Sequence, residues 1–136
     1  MPIEEAKRLQ ARMRGEKPAT AAPKRSSHEA AFDRQLADAD LPAHLIEQQL
    51  VPGRKFRTDY CWPAHRVALE LDGTVRRGNG DHQTESGITS DCQKALRLAA
   101  LGWLPLRITA TMVASGEAIE LVGRVLARIE DTRSER

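Results

Sequence analysis

The chain has 136 residues, 40% hydrophobic and 29% charged, with a formal net charge of +2. That suits one compact domain with a modest core, and no apolar run approaches the ~18 residues of a membrane span. The charged N-terminus lacks the apolar stretch of a secretory signal. Cys61 and Cys92 have neither CxxC nor zinc spacing, so they are expected as reduced thiols in the cytoplasm.

Charge is uneven along the chain. Residues 1–27 hold seven Lys/Arg against three acids, and the remainder holds fourteen against sixteen. Such a basic arm can bind nucleic acid or simply keep the chain solvated. Residues 3–14 have helix-forming composition with a thin apolar face. Residues 15–27, GEKPATAAPKRSS, carry two prolines and no periodicity, so they read as a linker. The expected organisation is an arm and linker over 1–25, a folded domain over 26–131 and a disordered tail over 132–136.

Ser26 and Glu29 fit a capping box. Ala30, Phe32, Leu36 and Ala37 line one side of a short helix that Pro42 cannot continue. Strands are predicted at 45–51 and 55–62 around the Pro52-Gly53 turn. A third, at 66–72, follows the turn at Trp62-Pro63-Ala64-His65. Residues 73–87 form a long, glycine-rich polar loop of the kind that often carries function. Ser90 and Gln93 predict the start of a second helix, with Gly102 past its end. Residues 103–109 predict a fourth strand, and the internal Pro105 puts it at an edge or a bulge. Apolar positions 119, 122, 126 and 129 predict a final amphipathic helix.

The hairpin contains three acids, Asp59, Glu70 and Asp72, where Asp and Glu are depleted. Side chains alternate along a strand, so Glu70 and Asp72 share a face opposite Val67, Leu69 and Leu71. Arg57, Asp59 and Cys61 share a face on the preceding strand, and pairing across the tight turn lays Asp59 beside Glu70. Clustered carboxylates repel one another and raise each other's pKa, a cost that a divalent cation removes. Oxygen ligands suit Mg²⁺ or Mn²⁺, the usual means of activating water against a phosphodiester. The competing explanation is a solvated sheet face whose acids pair with Arg57 or Arg66.

Asp59, ten residues, then Glu70-Leu71-Asp72, set in a helix–three strands–helix–strand order, resembles the PD-(D/E)XK nuclease superfamily. RTDYCWPAHRVALELDG, DCQKA and LGWLPLRIT resemble the motifs of small phage and bacterial domains related to very-short-patch-repair endonucleases. This resemblance, over about residues 27–113, implies an α/β (α+β) fold: a restriction-endonuclease-like αβββαβ core, with a mixed four-stranded sheet flanked by helices. It implies a Mg²⁺- or Mn²⁺-dependent DNA endonuclease, selective for a structure or mismatch, working in phage biology or DNA repair. DNA is the implied partner, with a second copy or a phage protein as further candidates and no membrane.

By the same resemblance Asp59 and Glu70 match the metal-binding acids. Asp72 stands where many relatives carry a lysine, and becomes a third ligand or a base. Lys94 is the replacement cation, against the alternative of a plain surface lysine; Lys55 is expected at the far end of its own strand. Asp91 either orients Lys94 or complements the helix dipole. Glu29 matches an acid that some relatives point at the metal, though its capping box explains it too. Arg76, Arg77 and His82 are candidate DNA contacts on the long loop. Trp62 and Trp103 can pack in the core or stack on bases. The missing lysine keeps open a second reading, a decayed nuclease fold that binds DNA or serves phage assembly.

Overall fold

The computed structural model describes residues 24–73 and 85–134. They form α1 (Ser27–Asp38), β1 (Leu45–Gln48), β2 (Thr58–Trp62), β3 (Val67–Asp72), α2 (Glu85–Ala100), β4 (Leu104–Thr109), α3 (Ala110–Ser115) and α4 (Glu117–Ser134). The four strands make one sheet in the order β1-β2-β3-β4. β1 and β2 pair antiparallel, as do β2 and β3, while β3 and β4 run parallel. The expected mixed sheet flanked by helices is what forms, with the β2–β3 hairpin at its centre.

Alternation along the hairpin builds two cores. Tyr60, Trp62, Val67 and Leu69 are buried on one face, together with Phe32 and Leu36 of α1 and Val122 and Leu126 of α4. Cys61 and Ala68 are buried on the other, with Leu98 of α2, Trp103, Leu45, Leu50 and Val51. Both tryptophans are therefore core residues: Trp62 is fully buried and Trp103 nearly so. A central strand covered on both faces is anchored by each layer, so charged groups can persist only at its ends.

Boundaries shift for local reasons. The capping box forms as expected, with Ser26 accepting from Glu29 N and Glu29 returning a bond to Ser26 N. β1 stops at Gln48 because Leu50 and Val51 leave the ladder and turn into the second core. β2 starts only at Thr58. α2 begins at Glu85, so Ser90 and Gln93 lie inside the helix rather than capping it. Pro105 sits on β4, one of the two outer strands of the sheet among the described residues, where a missing N–H is tolerated.

Three features lay beyond sequence reasoning. The short α3 is capped by the Thr109 hydroxyl, which accepts from Met112 N at 3.2 Å, and it ends on Gly116 at φ 84°. That glycine turns the chain sharply into α4. α4 then runs to Ser134, into the stretch expected as a tail, with the Thr132 hydroxyl donating to Arg128 O at 2.9 Å. At the other end Arg25, expected in the arm, is fastened to the domain. Its guanidinium donates to Asp33 at 2.8 and 2.9 Å and to the Tyr60 hydroxyl at 2.8 Å.

Candidate metal centre and its surroundings

The polar groups gather where β2 begins and β3 ends. One step beyond the pair Tyr60↔Leu69, the register sets Asp59 opposite Glu70. Asp59 Oδ2 accepts the Leu71 N–H at 2.8 Å, so the carboxylate is tethered to the ladder. Glu70 points to the α2 side, the same face as Ala68. There Lys94 of α2 forms an ion pair with Glu70 Oε1. The Lys94 ammonium also donates to Arg57 O at 3.0 Å and lies 4.9 Å from the Phe56 ring centroid. Burial, the largest influence, and the Asp59 charge raise the Glu70 carboxyl to about 7 against the pull of the Lys94 ammonium. Glu70 thus sits beside both a cation and an anion.

Asp59 also belongs to a second group. One carboxylate oxygen each from Glu29, Glu47 and Asp59 lie within 4.8 Å of one another. Glu29 comes from the first turn of α1. Glu47 comes from β1, between the pairs Ile46↔Tyr60 and Gln48↔Thr58, which sets it opposite Asp59. Its backbone has φ 54°, uncommon for a residue with a side chain. Burial raises the Glu47 pKa, and the Asp59 and Glu29 charges add to the shift. Arg25 binds the rim of this cluster, 3.1 Å from Glu29 and 3.5 Å from Glu47. Burial alone would raise Asp33, but hydrogen bonds from Arg25 and Tyr60 outweigh it and hold its carboxyl below the usual value.

The structure thus brings Asp59, Glu70 and Lys94 together and adds Glu29 at the cluster itself. Asp72 shares the Glu70 face and lies 3.7 Å from Arg107, which also reaches Asp91 at 3.3 Å. Asp91 is therefore tied to β4 through Arg107. Lys55 precedes β2, which begins only at Thr58, and so stands on the connection from β1 rather than at a strand end. Arg66 is far from the acids, with its Nη2 donating to Leu101 O and its guanidinium over Trp103. Arg76, Arg77 and His82 lie outside the described residues.

Glu47 is the member that sequence reasoning missed. The signal was present, because LIEQ puts an acid inside a strand, the same anomaly that singled out Asp59. Three hard oxygen donors suit Mg²⁺ or Mn²⁺. Oxygens around Mg²⁺ at ~2.1 Å lie no more than ~4.2 Å apart, so closing the observed group needs only a small shift. The donor set fits such an ion.

The fold and these acids define the class first: a mixed α/β domain with a carboxylate cluster at the end of its central hairpin. Among solved structures the chain is similar to the catalytic domain of the homing endonuclease I-Bth0305I. The TM-score is 0.57 and the identity 13%, over 77% of this chain and 98% of that domain. No family model and no curated protein matches the chain. At this identity the likeness establishes a shared fold.

Proposed function

We propose that this chain is a Mg²⁺- or Mn²⁺-dependent DNA endonuclease. The observation that carries the reading is the convergence of Glu29, Glu47 and Asp59 within 4.8 Å, with the Glu70–Lys94 pair alongside. The shared fold with a homing endonuclease catalytic domain supports it. Asp59, Glu29 and Glu47 would hold the ion, with Glu70 at its border. When bound, a divalent ion lowers the pKa of water and neutralises charge on the phosphate.

The chain's own residues supply the rest. Glu70, whose carboxyl burial raises above the ordinary carboxylate range, is placed to take up the proton of the attacking water as the phosphorus–oxygen bond to the leaving strand end breaks. Lys94, fixed between Glu70 and Arg57 O, orients that water and offsets charge growing on a phosphate oxygen. The Asp59 tether to Leu71 N holds the ligand in register with the hairpin. Asp72, set against Arg107, steadies the end of β3 from outside the cluster. A second copy would let both strands be cut in one encounter. Selectivity for a DNA structure or mismatch, and a phage or repair setting in the bacterial cytoplasm, rest on the sequence resemblance.

A plasmid-nicking assay tests the proposal. Wild type should nick with Mg²⁺ or Mn²⁺, EDTA should abolish it, and Asp59→Ala and Glu47→Gln should lose it while still binding DNA. DNA retention by wild type without metal-dependent nicking would instead favour the decayed nuclease. Neither binding nor nicking would defeat both readings.

A further inference from the structure

We propose that the connection between β1 and β2, residues 49–57, is a surface that grips the phosphate backbone of duplex DNA, with Arg54, Lys55 and Arg57 as its cations. The inference rests on the nuclease reading above. From Gln49 to Thr58 the chain reads QLVPGRKFRT, three cations without an acid. All three are exposed. Other cations at this end of the sheet are already neutralised: Arg25 by Glu29, Asp33 and Glu47, Lys94 by Glu70, and Arg107 by Asp72 and Asp91. Arg54, Lys55 and Arg57 form no ion pair among the described residues. Their charge is free for an external anion.

The segment is held firmly rather than trailing in solvent. Leu50 and Val51 are buried in the second core and Phe56 packs against it. Arg54 N donates to Val51 O at 3.2 Å, and Gly53 takes φ 78° at the tip, where a side chain would be strained. The strap is therefore pinned on both sides of its cationic tip, which limits the ordering cost of binding.

Its position is the second argument. Arg57 is two residues before Asp59. Its carbonyl accepts from the Lys94 ammonium that pairs with Glu70. The acids at this end repel a phosphodiester, and a net charge of +2 gives the whole chain little attraction for DNA. A local row of unneutralised cations beside the cluster supplies that attraction where the backbone has to approach.

The test measures binding apart from chemistry. A fluorescein-labelled duplex is titrated with full-length protein in EDTA across a salt series and read by anisotropy. Wild type should show a steep fall of affinity with salt. The triple variant Arg54→Ala/Lys55→Ala/Arg57→Ala should bind at least about tenfold more weakly, and its salt slope should shrink by about 2–3, since each phosphate contact contributes ~0.9. Arg124→Ala/Arg128→Ala, on the exposed side of α4, should bind like wild type. Equal slopes for wild type and triple variant would overturn the proposal and leave the nuclease reading standing. Wild type that ignores duplex DNA but binds vesicles containing phosphatidylserine would overturn both. The expected slope change in a protein that never nicks DNA would uphold the strap and remove the nuclease.

Discussion

Glu70 and Lys94 show how little a residue's type says about its chemistry until its neighbours are known. A glutamate in water is ionised at pH 7, whereas this one is lifted to about 7 by burial and by Asp59, against the pull of Lys94. Under the proposed function, Lys94→Ala should lower the nicking rate on the order of 10²-fold, the range for one positioned catalytic group. Duplex affinity should be nearly unchanged; a rate equal to wild type would remove Lys94 from the mechanism. His44 provides a pH test away from the acids. It lies among the rings of Tyr60 and Trp62, at 5.9 and 5.8 Å between centroids. Burial holds its pKa below the ordinary value; Asp33 opposes this and Arg25 adds to it. A histidine with a depressed folded pKa contributes stability above its unfolded pKa of about 6.5, and that stability is lost as pH falls through the folded value. Urea unfolding of His44→Phe should therefore lose part of the acid limb that wild type shows below about pH 6.5. An unaltered limb would assign it to other groups.

At the scale of elements, the hairpin sets the site, and the first turn of α1 and the middle of α2 reach it. β2 and β3 bring Asp59 opposite Glu70, β1 adds Glu47 from the outer strand, and α1 and α2 deliver Glu29 and Lys94 from opposite layers. The turn between α3 and α4 is a separate test of backbone control. Gly116 at φ 84° has open space around the position of a Cβ, so an alanine there meets no clash but must adopt the left-handed region. Gly116→Ala should cost about 1 kcal/mol in chemical denaturation, through strain alone. A neutral result would mean that the turn relaxes to another conformation. Ser26→Ala, which removes the hydroxyl that accepts from Glu29 N at 3.1 Å, should also cost about 1 kcal/mol. It should in addition loosen Glu29, visible as weaker Mn²⁺ stabilisation of the folded state.

For the whole molecule, gathering Glu29, Glu47, Asp59 and Glu70 at one end stores repulsion that Arg25 and Lys94 only partly offset. An ion that binds the folded cluster and not the unfolded chain stabilises the fold by linkage, about 2.7 kcal/mol at a hundredfold excess over Kd. Mn²⁺ should therefore raise the melting temperature of wild type, and Asp59→Asn should abolish that rise. Mn²⁺ shifting both proteins alike would show that the ion binds elsewhere. Among the described residues no helix is long and apolar enough to cross a membrane.

The order of elements was legible because period and punctuation are local. Alternation around Trp62-Pro63 marks a hairpin, Ser26 with Glu29 marks a helix start, and Pro105 marks an outer strand. Asp59 and Glu70 could be chosen because acids are anomalous in strands, and Lys94 through the family resemblance, with its helix expected to start facing the end of the Glu70 strand. Capping was less legible: Ser90 and Gln93 look like a helix start, yet the helix is already under way at Glu85. Glu47 joined the cluster and Arg25 left the arm because of strand register and interlayer contacts between residues distant along the chain. Local propensity and alternation determine which segments form and which faces they bury. Which charges meet depends on how those segments dock, and only the tertiary structure fixes that.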